Sequence, residues 1–227
     1  MVRVMLSGAA AAAASVCVLA SPASAQTDGR FAIDFGIGTT GGTVEGKFAL
    51  SDRIVLRGGY NYLGYELDGE EYDGVVYDSE LDFSTFGGFV DLHPFSNGFM
   101  VTGGVYAGAK ELTASATPSE PVDIGGTTFT PAEVGQLDFT GDLEDTAPFA
   151  GVGWDGAFVR EGRFNIKLIA GVMFSGTPDL SLRSSGGALS DDPTFQAELA
   201  EEEASIQSEV EDYEYYPVIS IGFGYRF

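Results

Sequence analysis

Three scarcities bound this chain before any pattern is sought. It has one cysteine, Cys17, one histidine, His93, and 11 Lys and Arg against 34 Asp and Glu. With Cys17 inside an N-terminal export segment, the remainder contains no cysteine and can form no disulfide. The formal charge of −23 excludes direct binding to nucleic acid, whose phosphates require a basic surface. It grows one unit more negative once Arg3 is removed, and it calls for cations or cationic partners. Beyond the export segment no stretch reaches about 18 uninterrupted apolar residues, so no transmembrane helix is expected.

What is present starts with that segment. Arg3 is a short basic region, Met5 to Leu19 is apolar and rich in Ala and Val, and Ala23-Ser24-Ala25 is a cleavage site. Residues 1–25 therefore read as a signal peptide and 26–227 as one mature domain. Pro22 and the small-residue flank argue against a retained membrane anchor. Val16 before Cys17 argues against a lipoprotein, which wants a small residue there. The 32 Gly, 17 Phe and 10 Tyr suit short strands and turns better than helices.

The last residues carry the strongest periodicity. Tyr215, Pro217, Ile219, Ile221, Phe223, Tyr225 and Phe227 share one face, and Tyr216, Val218, Ser220, Gly222, Gly224 and Arg226 the other. An apolar face with aromatic ends opposite a small or polar one is how a strand looks between lipid and a polar lumen. Turn signals divide the mature chain into eight such strands: residues 31–37, 44–50, 54–65, 78–92, 98–112, 147–158, 163–175 and 214–227. The facing of the fourth is ambiguous, with a possible bulge at Gly87-Gly88.

Connections alternate between short (51–53, 93–97, 159–162) and long (66–77, 113–146, 184–213). That asymmetry, together with the need to leave no open sheet edge in lipid, predicts an all-β fold. The expected architecture is an eight-stranded antiparallel transmembrane β-barrel with short periplasmic turns, long acidic extracellular loops and one short surface helix. The helix is expected from Pro193 to Asp212, capped by Asp192, with Phe195, Leu199, Ile206, Val210 and Tyr213 as a narrow apolar stripe. It would gain from bound cations or from packing that stripe on the barrel rim.

Two sets of residues are functional candidates. Parity places Asp34, Glu45, Lys47, Arg57, Asn61, Lys110, Asp155, Lys167 and Arg226 in the lumen, with Thr102, Tyr106 and Asn165. An eight-stranded barrel is just wide enough for side chains to fill, so these groups form either a salt-bridged plug or a narrow polar path. Asp68, Glu70, Glu71, Asp73, Glu201, Glu202 and Glu203 represent the loop acids, which are hard ligands suited to Ca²⁺ and Mg²⁺. The spacing from Asp68 to Asp73 does not fit an EF-hand, so the expectation is weak, diffuse attraction of divalent cations and no defined metal site or cofactor. Catalysis is not expected: His93 falls in a periplasmic turn, and no serine pairs with it at the outer rim.

Asp91-Leu92-His93-Pro94-Phe95, Ala147-Pro148-Phe149 with Gly151-Val152-Gly153-Trp154, and Tyr215-Tyr216-Pro217-Val218 running into Tyr225-Arg226-Phe227 resemble small Gram-negative outer-membrane barrels. The pattern is similar in outline to the transmembrane domain of outer-membrane protein A and to the ornithine-uptake porin type. The resemblance implies the cell outer membrane as location, and lipid, lipopolysaccharide and the barrel-assembly machinery as partners. It makes Tyr225 and Phe227 an assembly signal. Two functions follow as expectations: stabilising the outer leaflet through divalent cations, or a narrow cation-preferring channel for small solutes such as basic amino acids.

Overall fold

The computed structural model describes residues 29–72, 75–159, 162–211 and 213–227, with backbone alone at 67–72 and 75–77. The expected signal peptide over residues 1–25, Asp73 and the expected helix end Asp212 lie outside the described residues. Strands β1 (Phe31–Gly38), β2 (Gly41–Ala49), β3 (Ile54–Tyr72), β4 (Val75–Leu92) and β5 (Phe99–Pro118) follow one another. A first excursion holds β6 (Val122–Ile124), β7 (Thr127–Phe129), α1 (Pro131–Val134) and β8 (Gly135–Asp142). Strands β9 (Thr146–Asp155) and β10 (Phe164–Phe174) return to the wall. A second excursion holds β11 (Asp179–Gly186) and α2 (Pro193–Val210), and β12 (Tyr215–Arg226) ends the chain.

Eight of these strands close a ring, in the order β1, β2, β3, β4, β5, β9, β10 and β12. Every pairing is antiparallel, and β12 returns to β1 from Gly38 opposite Ser220 to Ala32 opposite Arg226. The outward positions are those the alternation indicates. Phe35 is 63% exposed, Ile37 66% and Ile166 58%, within a continuous band of Phe, Ile, Leu and Val. Soluble monomers rarely leave a contiguous apolar band of this kind to water. Aromatic rings border the band at both ends: Phe31 against Phe227 and Phe164 against Tyr225 near the termini, Tyr60 against Phe86 and Phe174 against Tyr215 near the long connections.

Several expected boundaries shift, because pairing continues where the polar composition suggests loops. The predicted loop over 66–77 is the tip of a long β3–β4 hairpin. Asp68, Glu70 and Glu71 lie in β3, with the register irregularity between Leu67 and Glu70. Pairing runs unbroken through Gly87-Gly88, so there is no bulge there, and the odd residues of β4 face the lumen. The segment after Gly176 is not a continuation of β10. It is β11, which pairs with β8 outside the ring.

Beyond the ring, the sheet β4–β5–β8–β11 rises as an extracellular extension. A separate core holds its cap together. Phe195 and Leu199 of α2 are buried against Ile124, Phe129 and Val134, with Phe129 and Phe195 edge to face at 4.8 Å. Asp192 caps α2 as expected, accepting from the Thr194 and Phe195 amides at 2.8 and 3.2 Å. In α1, hydrogen bonds from the Thr130 amide and hydroxyl hold the Glu133 carboxyl below the usual carboxylate range.

Helix α2 also covers the free edge of β11. Glu203 Oε2 accepts from the Leu182 amide at 2.8 Å, and Gln207 Oε1 from the Leu180 amide at 3.1 Å. Alternate amides of an edge strand point away from the sheet, and one helix face supplies their acceptors. The stripe is thus divided: Phe195 and Leu199 pack in the cap, whereas Val210 and Tyr213 line a cavity at the barrel rim.

Phe195→Ala is expected to cost the cap about 3–5 kcal/mol. Amide exchange should accelerate through α2 and β11 while the barrel keeps its heat-sensitive gel mobility. Deletion of Phe227, whose ring packs tilted against Phe31 and whose amide donates to the Phe31 carbonyl at 3.0 Å, should lower the yield of folded barrel in cells. Undiminished assembly would rule out a role for the terminal ring.

Candidate functional site

The lumen contains two layers, each drawn from several strands. Nearer the short turns lies an ionic layer. Lys47 of β2 sits between Asp34 of β1 and Asp155 of β9, in ion-pair contact with both. Lys167 of β10 pairs with Glu45 of β2. Arg57 of β3 donates to Glu45 at 2.6 Å, to both oxygens of Asp91 at 2.9 and 3.2 Å, and to Thr102 Oγ1 at 3.0 Å. The Asn165 amide donates to Asp155 Oδ1 at 3.0 Å. All of these side chains are at most about 6% exposed.

Glycine on β12 makes room for them. A side chain at Gly224 would collide with Asp34 Oδ1 and Asn165 Oδ1, and one at Gly222 would crowd Lys167 Cε at 3.3 Å. The small face of the terminal strand is therefore the seat of the ionic layer.

Above it is an apolar layer. Phe83, Phe89, Tyr106, Phe149, Ile169, Met173 and Val218 form one buried cluster, which Met100 joins from one inward step nearer the short turn than Thr102. Phe89, Tyr106 and Phe149 pack edge to face with centroids 4.9–5.6 Å apart. The Arg57 guanidinium lies 4.0 Å from the Phe89 centroid and joins the two layers. Polar groups and rings together occupy the bore, as the narrow lumen of an eight-stranded ring allows.

Not every residue assigned to the lumen enters the ionic layer. Asn61 faces inward but bonds Thr85. Arg226 is half-buried at the periplasmic mouth and makes no ion pair among the described residues. Lys110 stands at a fork: β5 pairs with β9 up to Ala107 and with β8 from Glu111. Gly108 makes the turn between them with φ +133°, a conformation few side chains adopt. Lys110 Nζ donates to the Gly108 carbonyl at 2.9 Å and the Asp145 carbonyl at 3.2 Å, tying the fork shut.

Asp91 is the functional residue that sequence reasoning missed. Its strand was ambiguous because apolar residues lie on both faces, yet stepping by two from Thr85 through Phe89 reaches it. His93 Nδ1–H donates to the Asn97 carbonyl at 3.0 Å, inside its own turn.

The extension separates two chemistries. Its inner face, with Val210 at the end of α2 and Tyr213 beyond it, lines a cavity of about 370 Å³ above the apolar layer. Its outer face sets Asp82, Glu111, Asp142 and Asp179 directly opposite one another across β4, β5, β8 and β11. Glu66 lies opposite Glu80 one step higher. Among the described residues no three acidic, histidine or cysteine side chains converge on a metal position. Of the helix acids, Glu202 accepts from the Gly125 amide at 3.1 Å and Glu203 serves β11, whereas Glu201 is exposed.

Arg57→Met is expected to destabilise the barrel by about 3–5 kcal/mol, since Glu45 and Asp91 then share a buried site short of one cation. Urea unfolding in phospholipid vesicles measures it. A loss below about 1 kcal/mol would mean that the carboxylates find other compensation.

No protein-family model and no curated protein matches the chain. Among solved structures it is similar to CarO2 of Acinetobacter baumannii, with TM-score 0.58 and 18% identity over 87% of this chain and 98% of that one. It is also similar to CarO of Acinetobacter baumannii, with TM-score 0.56 and 19% identity over 87% and 97%. At that identity the likeness is one of fold. With its closed ring, its lipid-facing band and its paired aromatic borders, the chain is an eight-stranded antiparallel β-barrel of the outer-membrane type.

Proposed function

We propose that the protein is a surface barrel closed to solutes that stabilises the outer leaflet by holding divalent cations against its extracellular wall. The observation that carries the first half is the doubly filled lumen. Ion pairs occupy the periplasmic half and packed rings the half above it. A cation entering from outside would meet the apolar layer first and then Lys47, Arg57 and Lys167. That order of obstacles weighs against uptake of basic amino acids.

The outer-face ladder supports the second half. Like charges directly opposite on neighbouring strands are destabilising, and cations relieve them. Asp82, Glu111, Asp142 and Asp179 lie just beyond the outward aromatic border formed by Tyr62 and Phe86. Lipopolysaccharide phosphates gather at that level, and Mg²⁺ or Ca²⁺ bridges them to carboxylates. With no converging ligand set among the described residues, the association is diffuse and its specificity low.

Two measurements test the two halves separately. The refolded mature chain in a planar bilayer under a salt gradient should be silent; steady current with a cation-shifted reversal potential would replace the closed reading with the channel. In vesicles containing lipopolysaccharide, Mg²⁺ should raise the unfolding midpoint of the native chain. The combined variant Asp82→Asn, Glu111→Gln, Asp142→Asn, Asp179→Asn should lose most of that rise. A variant with an undiminished response to Mg²⁺ would dispose of the leaflet role.

A further inference from the structure

The cavity at the extracellular mouth has no part in closing the barrel or in attracting cations. Its walls are Leu81 and Phe83 from β4, Leu112 from β5, Phe139 from β8, Leu180 from β11, and the rim residues Val210 and Tyr213. Tyr213 is 69% exposed and Leu112 41%, so the space opens to water at the rim rather than to lipid. A volume of about 370 Å³ falls within the range of small-molecule sites. Such sites are apolar, with a few polar groups that set orientation.

One polar group here is of the right kind. Lys110 lines the floor and is only 2% exposed. Among the described residues it has no carboxylate within ion-pair distance, unlike Lys47, Arg57 and Lys167. Its ammonium has three protons, and the Gly108 and Asp145 carbonyls take two. Its direct partners are neutral carbonyls, and the Asp145 and Glu144 carboxylates act on it only from beyond ion-pair distance, which leaves one donor unmatched among the described residues at the base of an apolar chamber. A carboxylate in direct contact offsets the desolvation of a buried ammonium better than carboxylates at longer range, so a ligand that brings an anion to that donor is favoured there.

We propose that this vestibule binds one single-chain carboxylate amphiphile, a free medium-chain fatty acid. Its carboxylate accepts from Lys110 Nζ, and its chain runs outward along Leu112, Phe139 and Leu180 towards Tyr213. At roughly 30 Å³ per heavy atom, the share of one liquid water, the space holds about a dozen such atoms. That is the size of decanoate. The walls mix five branched aliphatic side chains with four aromatic ones, an uneven apolar surface that a flexible chain follows better than a flat ring. Because the bore below is filled, the ligand is held at the mouth and does not pass through.

The test uses the mature chain in phosphatidylcholine nanodiscs, titrated with sodium decanoate below its micelle concentration, with empty nanodiscs as the blank. Calorimetry should show saturable binding of one decanoate per barrel, at least tenfold tighter than decanol. Lys110→Met should remove that tenfold preference and leave decanol binding unchanged, while Lys110→Arg keeps it. Leu180→Trp, on a strand outside the ring, should fill the chamber and abolish both. Binding no greater than the blank, or equal affinity for decanoate and decanol, would overturn the proposal. The decanoate-to-decanol ratio is read on the native chain and so decides the matter even if the Lys110 variants fail to fold.

Discussion

A ring of eight strands encloses a space about as wide as the side chains that point into it, and most features of this barrel follow from that restriction. Charges drawn into such a space leave water and must find one another. Here Lys47, Arg57 and Lys167 meet Asp34, Glu45, Asp91 and Asp155 over strands far apart in sequence. The bulk of those side chains has to be accommodated from across the bore. Gly222 and Gly224 on β12 leave the volume that Lys167, Asp34 and Asn165 occupy. An ion pair of this kind adds little net stability over an apolar filling, because desolvation offsets most of the attraction. Its stronger effect is on register. A one-residue slip of any strand would turn its charge into lipid.

The same need to leave no backbone group unpaired governs the extension. Strand β5 is longer than the wall and outlasts its partner β9. At Gly108 it changes neighbour to β8, whose other side takes β11. That leaves β11 as an edge, and α2 answers its outward amides with Glu203 and Gln207. Acids that composition alone assigns to a solvated, cation-gathering helix face are partly engaged in finishing a sheet. The helix has no basic residue in its last turn, and its position rests on Phe195, Leu199 and these acceptors.

The membrane wall was legible because lipid on one side and a narrow bore on the other impose strict alternation. Parity alone placed Asp34, Glu45, Lys47, Arg57, Asp155 and Lys167 inside, and the structure brings these six together. It was less informative where the alternation has less work to do. Beyond the membrane, water satisfies backbone groups, so strand and loop differ little in composition. The hairpin tip around Asp68–Glu71, strand β8, the end of β11 from Ser184 and the small cap core were therefore read as loops. Asp91 escaped notice for a related reason, since β4 carries apolar residues on both faces and its phase is visible only against β3. Lys110 was correctly faced inward, but parity cannot report height along a strand, and height separates a member of the ionic layer from the residue that fastens the fork.

Function in this molecule is displaced from the bore to the extension. The wall spends its inward residues on closing itself, which leaves no free polar surface inside for recognition. The extension has a different constraint on each face. Its outer face lies beside the lipid headgroups and carries aligned carboxylates, a chemistry fit for exchangeable cations. Its inner face must continue the apolar layer below but has too few side chains to fill the wider space above the fork, so a chamber remains. Widening beyond the ring thus produces the cavity, and the fork that causes the widening also positions Lys110 at its floor. Closing the barrel and opening a vestibule are consequences of the same change of partner on β5.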